Sequence, residues 1–252
     1  SRVTLVDGFA GGGQYQTPAG STVGGSPLVL LEALEEARAL VALDRQQRNI
    51  RKPYTIHAHV HLIEKHAGTK TFLDRVIADS ADAHAGNTTV EVHHSDFHKK
   101  LPDLLKDIQA RQKKNGRSVF ILDQYGWSRV NLETVKTIFA ALPFAEVFLT
   151  WMIDNLVNFL SEEMVDKLNP ALQRTGLGGV LTAEQLLAIK NGGTDGDGDL
   201  TWRRAIQSIM TEQIRSISGA TYCTPFYIVP RSSRRGYWLL HLAQHLRANE
   251  EM

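Results

Sequence analysis

The stretch V-T-L-V-D-G-F-A-G-G-G-Q-Y, Val3 to Tyr15, decides how this chain folds. Its opening run, Val3 to Val6, is short and apolar, which predicts a buried parallel strand. Asp7 follows, and then Gly8, Gly11, Gly12 and Gly13. A strand that ends in an acid and opens into glycines forms the floor of a nucleotide-type pocket. Glycine takes positive φ there and lets a ligand lie against the main chain with no Cβ in the way. The acid holds a cation or accepts hydrogen bonds from a hydroxyl. A tight turn alone would also use glycines, but the spacing D-x-F-x-G-x-G, from Asp7 through Phe9 and Gly11 to Gly13, is narrower. No Gly-Lys-Ser/Thr follows, so a Walker phosphate loop is a poor fit.

The rest of the composition bounds the answer. A chain of 252 residues can bury one large core, so a single α/β domain is expected. It has no apolar run of roughly 18 residues that would cross a membrane, and it opens at a strand with no basic, apolar leader. One cysteine, Cys223, rules out an internal disulfide and fits a reducing, cytoplasmic compartment. Charge is uneven: residues 201–252 hold seven arginines against three glutamates, while residues 1–200 hold 21 basic against 24 acidic groups. That basic end permits a polyanionic partner without requiring one.

Downstream, Gln16 to Gly25 is a long loop, either a lid or a solvent-exposed insertion. Ser26-Pro27 starts a helix to about Gln47, serine as N-cap and proline in the first turn. Its apolar stripe is Leu30, Leu31, Leu34, Ala37, Leu40 and Val41. Tyr54 to Ile63 reads as the second strand, ending at Glu64, an acid placed to accept from ribose hydroxyls. His57, His59 and His61 share one strand face. We read them as a packed face and not a metal site, because no Cys or acid converges on them in sequence. A helix at Thr69–Ala78 leads to a third strand, Thr88 to His93. Asp96 and Phe97 follow it: the carboxylate either contacts a ligand at the strand tip or caps the next helix, Phe97 to Lys113.

Val119 to Leu122 is the fourth strand and runs into Asp123-Gln124-Tyr125-Gly126-Trp127. Asp123 and Tyr125 have the makings of a hydrogen-bond acceptor and a stacking ring; a strand end with a buried aromatic is the plainer alternative. A helix at Leu132–Ala141 and a fifth strand, Glu146 to Thr150, come next. Trp151–Leu168, Leu181–Lys190 and Thr201–Ser218 read as helical, the second opened by a capping box, Thr182 and Gln185. Asp195, Asp197 and Asp199 alternate like a calcium loop, but Leu200 and Ile206 stand where glycine and glutamate are needed, so an acidic surface loop is expected. Pro225–Val229 and Gly236–Ala243 are two closing strands, with Arg231, Arg234 and Arg235 at the tip between them, facing phosphates or solvent. His241 and His245 lack the glutamate of a metalloprotease helix.

The glycine stretch resembles motif I of S-adenosylmethionine methyltransferases, in the F-x-G-x-G form of enzymes acting on base amino groups. Those enzymes carry Asp/Asn-Pro-Pro-Tyr/Phe where this chain has Asp123 to Tyr125. Their sheets also end with an antiparallel last strand inserted beside the fifth, whereas a nicotinamide dehydrogenase more often ends in a parallel strand. Across Val6–Tyr15, Gly25–Leu28 (G-S-P-L), Leu122–Trp127 (L-D-Q-Y-G-W) and Tyr237–His245 (Y-W-L-L-H-L-A-Q-H), the chain is similar to the three-Cys-motif partner protein family.

That resemblance implies a Rossmann-like methyltransferase fold with a seven-stranded, mostly parallel sheet and an antiparallel C-terminal strand. It implies one domain over 1–252, with a helical insertion around 151–218. It also implies a bacterial or phage origin and a companion protein bearing a three-cysteine motif. Under this reading Gly8, Phe9, Gly11 and Gly13 shape the cofactor loop, with Asp7 beside it. Glu64 holds the ribose, Asp96 and Phe97 the adenine, and Asp123 with Tyr125 the target amine of a nucleic-acid base. A non-catalytic binding subunit that retains the fold is the alternative. Two departures bear on the choice. Gln124 replaces the family's proline and is expected to leave that backbone freer, and the helical segment that precedes the family's first strand is not in this sequence.

Overall fold

The computed structural model describes residues 1–80, 86–112, 116–192, 199–229 and 236–250. Asp195 and Asp197 of the expected acidic loop, and Arg231, Arg234 and Arg235 of the expected basic tip, lie outside the described residues. Seven strands form one mostly parallel sheet: β1 (Arg2–Asp7), β4 (His57–Glu64), β5 (Thr88–His94), β6 (Arg117–Leu122), β7 (Ala145–Trp151), β8 (Tyr222–Ile228) and β9 (Tyr237–Ala243). Their order is β5-β4-β1-β6-β7-β9-β8, with β9 antiparallel to both of its neighbours. The expected architecture, including the last strand inserted beside the fifth, is therefore present. Among the described residues no helix is long and apolar enough to cross a membrane.

The chain divides into two compact units, 1–121 and 122–252. In the first, β1 lies between β4 and β6, parallel to both, and β4 pairs in parallel with β5. Leu5, Val60 and Leu62 from the strands pack with Leu31, Leu34 and Leu73 from the helices into one core. The helices are α1 (Ser26–Gln47), α2 (Ala67–Asp79) and α3 (Phe97–Gln112). The long loop is a small antiparallel ribbon, β2 (Gln14–Gln16) against β3 (Thr22–Gly24).

The stripe expected on α1 is only half used. Pro27, Leu31 and Leu34 are buried, whereas Leu40 is 58% exposed. A 22-residue helix is about 33 Å long, and the eight-residue β4 spans only about 26 Å. The last turns of α1 outrun the sheet they pack on.

In the second unit, α4 (Leu132–Ala141) is capped by Asn131. The segment expected to be helical from Trp151 is broken. Trp151 still belongs to β7, and α5 (Ile153–Asn158) ends before a 3-10 turn at Glu162–Met164 leads into α6 (Val165–Thr175). The capping box forms as expected at the start of α7 (Ala183–Asn191), with both Thr182 and Gln185 bonded. Helix α8 (Asp199–Ser218) precedes β8, where Pro225 sits in a strand at the edge of the sheet. An edge strand is where a residue lacking an N–H is tolerated. Helix α9 (Leu246–Glu250) follows β9.

Candidate functional site

In the first unit the parallel strands bring Asp7, Glu64 and, one loop further, Asp96 to the carboxyl edge, where ligands of open α/β sheets bind. Asp7 itself is fully buried. Its Oδ1 accepts from the Phe9 amide at 3.1 Å and its Oδ2 from the Ser26 hydroxyl at 2.6 Å. The expected Ser26 cap is thus corrected. Gly25 is the N-cap of α1, with no side-chain cap bond, and Ser26 reaches back to β1 instead. A fully buried carboxylate has the stronger claim on the hydroxyl as a donor.

Gly11 and Gly13 have φ of 61° and 77°, the left-handed region that favours glycine. The space a Cβ at Gly11 would take is filled by the Tyr15 hydroxyl, and a Cβ at Gly13 would lie 2.8 Å from Leu73 Cδ1. The Gly8 amide donates to Ile121 O at 2.9 Å, so the loop begins inside the sheet's own hydrogen bonding. Glu64 is 8% exposed, and its Oε1 accepts from the His66 amide at 2.6 Å.

Asp96 caps α3: its Oδ1 accepts from the amides of His98 at 3.0 Å and Lys99 at 3.4 Å. Phe97 is 2% exposed and packs on Phe9, with ring centroids 5.9 Å apart. The ring expected to stack on an adenine packs at a tilt against the loop's own phenylalanine.

The strand faces correct the histidine reading. His61 on β4 pairs with Glu91 on β5, so an acid does converge on the histidines from the neighbouring strand. Ligand atoms of His59, His61 and Glu91 lie within 4.8 Å of one another. The cluster is nevertheless satisfied by hydrogen bonds. His59 Nε2 lies 2.7 Å from Glu91 Oε1, His61 Nδ1 3.0 Å from His93 Nε2, and Arg111 Nη2 2.7 Å from His61 Nε2. The rings of His59 and His61 are stacked at 12°, which keeps their lone pairs in parallel planes and not aimed at one point. Burial pushes the His61 pKa down to about 4; Glu91 opposes the shift, and His93 and Lys100 add to it.

In the second unit the residues after β6 alternate: Asp123 is exposed, Gln124 is 2% exposed, Tyr125 is 81% exposed and Trp127 is buried. Gln124 Nε2 donates to Thr150 O at 3.0 Å, and its Oε1 accepts from the amides of Arg129 at 2.8 Å and Val130 at 2.9 Å. The expectation of a freer backbone here is overturned. Three side-chain bonds hold this turn where the proline of the resembling family would restrict one φ. Gly126 takes φ 93°, and its carbonyl accepts from the Met152 amide at 3.4 Å. Tyr125 is left facing outward, with the Arg129 guanidinium 5.8 Å from its ring centroid.

No family model matches the chain, and no curated protein matches it. The geometry therefore stands on its own. It adds one residue that the sequence reading had undervalued, Gln124, whose only signal was a polar side chain between two expected site residues. Burial pushes the Cys223 thiol up to about 12, well above the range of an activated cysteine.

Proposed function

We propose that this chain is an S-adenosylmethionine-dependent methyltransferase acting on an amino group of a nucleic-acid base. The observation that carries this reading is the presentation of Asp123 and Tyr125 on either side of the buried, triply bonded Gln124. An exposed carboxylate and an exposed ring on a fixed turn suit a flipped base: the ring stacks, and the carboxylate accepts from the amine N–H. Holding the amine so that its lone pair is directed is most of what such catalysis asks of a protein. The inserted antiparallel β9 agrees with this class and disfavours a nicotinamide dehydrogenase.

S-adenosylmethionine, when bound, supplies an electrophilic methyl group. Glu64, at the end of β4, would accept from its ribose, and Asp96 would keep one oxygen toward its adenine while capping α3. Gly8, Phe9, Gly11 and Gly13 would line its methionine end once the Tyr15 ring turns away; Tyr15 is 51% exposed and can turn. Asp7 is occupied by Phe9 and Ser26, and Phe97 is enclosed, so we give those two the task of shaping the loop. The single cysteine supports a reducing, cytoplasmic setting.

A second reading, a non-catalytic subunit serving a three-cysteine-motif partner, is favoured by the Tyr15 hydroxyl lying over Gly11. Calorimetric titration with S-adenosylmethionine and with NAD separates the cases. Binding of the first alone, with methyl transfer to nucleic acid abolished in Asp123→Ala at unchanged cofactor affinity, supports the enzyme. Binding with transfer absent in both proteins supports the subunit, and no binding of either ligand removes the enzyme reading for this chain.

A further inference from the structure

We infer that the first unit holds a second binding site, for a phosphate dianion, at the amino ends of β1 and β4. A cavity of about 290 Å³ opens there, lined by Arg2, Thr4, His57, His59, Thr89 and Arg111, together with Gln112 and backbone neighbours. It lies at the opposite strand ends from Asp7 and Glu64. Its lining includes two arginines and two histidines and, among the described residues, no acid.

The arginines are the decisive groups. Among the described residues neither Arg2 nor Arg111 pairs with a carboxylate; every bond they make is to a neutral acceptor. Arg2 Nη1 donates to Arg111 O at 2.7 Å, Arg111 Nε to Asp107 O at 3.3 Å, and Arg111 Nη2 to His61 Nε2 at 2.7 Å. Arg111 Nη1 is buried and, among the described residues, has no hydrogen-bond partner. A buried guanidinium nitrogen with no acceptor is costly, and a bound anion offsets that cost. Burial alone holds Arg111 below its ordinary pKa, with no acid acting against it.

Glu91 is already engaged with the histidines: its Oε1 is taken by His59 at 2.7 Å and its Oε2 lies 3.5 Å from His93. The carbonyl end of α3 would repel an anion, but Arg2 already covers its Arg111 carbonyl. Guanidinium forks match the oxygens of a phosphate bidentately, and a dianion engages two of them where a monoanion satisfies one. The dianion is either free phosphate or the head of a small phosphomonoester, for which the cavity has room.

The test is calorimetric titration of the purified chain with inorganic phosphate, ribose 5-phosphate and acetate at low ionic strength. One phosphate per chain should bind saturably, with affinity falling about tenfold or more in Arg111→Gln and several-fold in Arg2→Gln. Arg2 is exposed, so Arg2→Gln remains informative if Arg111→Gln fails to fold. Tighter binding of ribose 5-phosphate than of phosphate identifies a phosphomonoester; equal binding identifies the free ion. Absence of saturable binding, binding unchanged in Arg2→Gln, or acetate binding as tightly as phosphate would each overturn the assignment. None of these outcomes depends on S-adenosylmethionine.

Discussion

The Ser26 hydroxyl donates at 2.6 Å to the carboxylate of Asp7, nineteen residues earlier, and fastens the start of α1 to the end of β1. Asp7 has no exposed surface from which to recruit water in its place. Ser26→Ala should therefore lower stability by about 1–3 kcal/mol, the range for leaving a buried polar group short of a partner. Ser26→Thr, which keeps the hydroxyl, should recover most of the loss. Urea unfolding of the three proteins measures both effects, and an alanine variant as stable as the parent would show the bond to be dispensable.

Gln124 makes the opposite prediction from the one a motif comparison suggests. Replacing it with the proline of the resembling family should destabilise the chain, not perfect it. Either Gln124→Pro or Gln124→Ala strips partners from Thr150 O and from the amides of Arg129 and Val130. A loss of roughly 2–4 kcal/mol follows from one to two effectively unsatisfied buried groups. Thermal melts rank the variants, and Gln124→Pro melting at or above the parent would contradict the role given to this side chain.

His61 makes stability depend on pH. Its pKa falls from an ordinary 6.5 to about 4 in the fold. Between those values the unfolded chain binds the extra proton, so stability rises with pH. The contribution is fully present above about pH 6.5 and is lost as the pH falls toward 4, roughly 3 kcal/mol in all. Urea midpoints at pH 4.5, 5.5 and 7 should fall in that order of acidity, and the slope should flatten in His61→Gln. An equally steep slope in the variant would move the effect to another group.

Tyr15 and Gly11 should be energetically coupled. Gly11→Ala suffers from φ 61° and from collision with the Tyr15 hydroxyl. The left-handed conformation alone costs a non-glycine residue about 1–2 kcal/mol. In a Tyr15→Ala background only that part should remain, so a double-mutant cycle should return a coupling of about 1 kcal/mol. A cycle that closes at zero would mean the ring moves aside freely.

The order of strands and helices was legible because it rests on periodicity and punctuation: α4 and the Thr182 capping box lie where the sequence places them. The histidine cluster was not legible, because Glu91 reaches His59 and His61 only through the register of β4 on β5. No linear pattern states which strand will be the neighbour. Gln124 was misjudged for a related reason. Its partners, Thr150, Arg129 and Val130, are ordinary residues whose backbone atoms do the bonding. Phe97 was placed correctly in the chain but assigned to a ligand, when Phe9 was the nearer ring.

The placement of β9 between β7 and β8 has a consequence for biosynthesis. A ribosome delivers β7 first and β8 about seventy residues later, yet neither can pair with the other directly. Until Tyr237–Ala243 has emerged, both carry open hydrogen-bonding edges, which are the places where nascent chains stick to one another. The final strand thus acts as the closing stave of its half of the sheet. A ribosome stalled ahead of Tyr237 would release a chain prone to aggregation, even though the first unit's strands were already made.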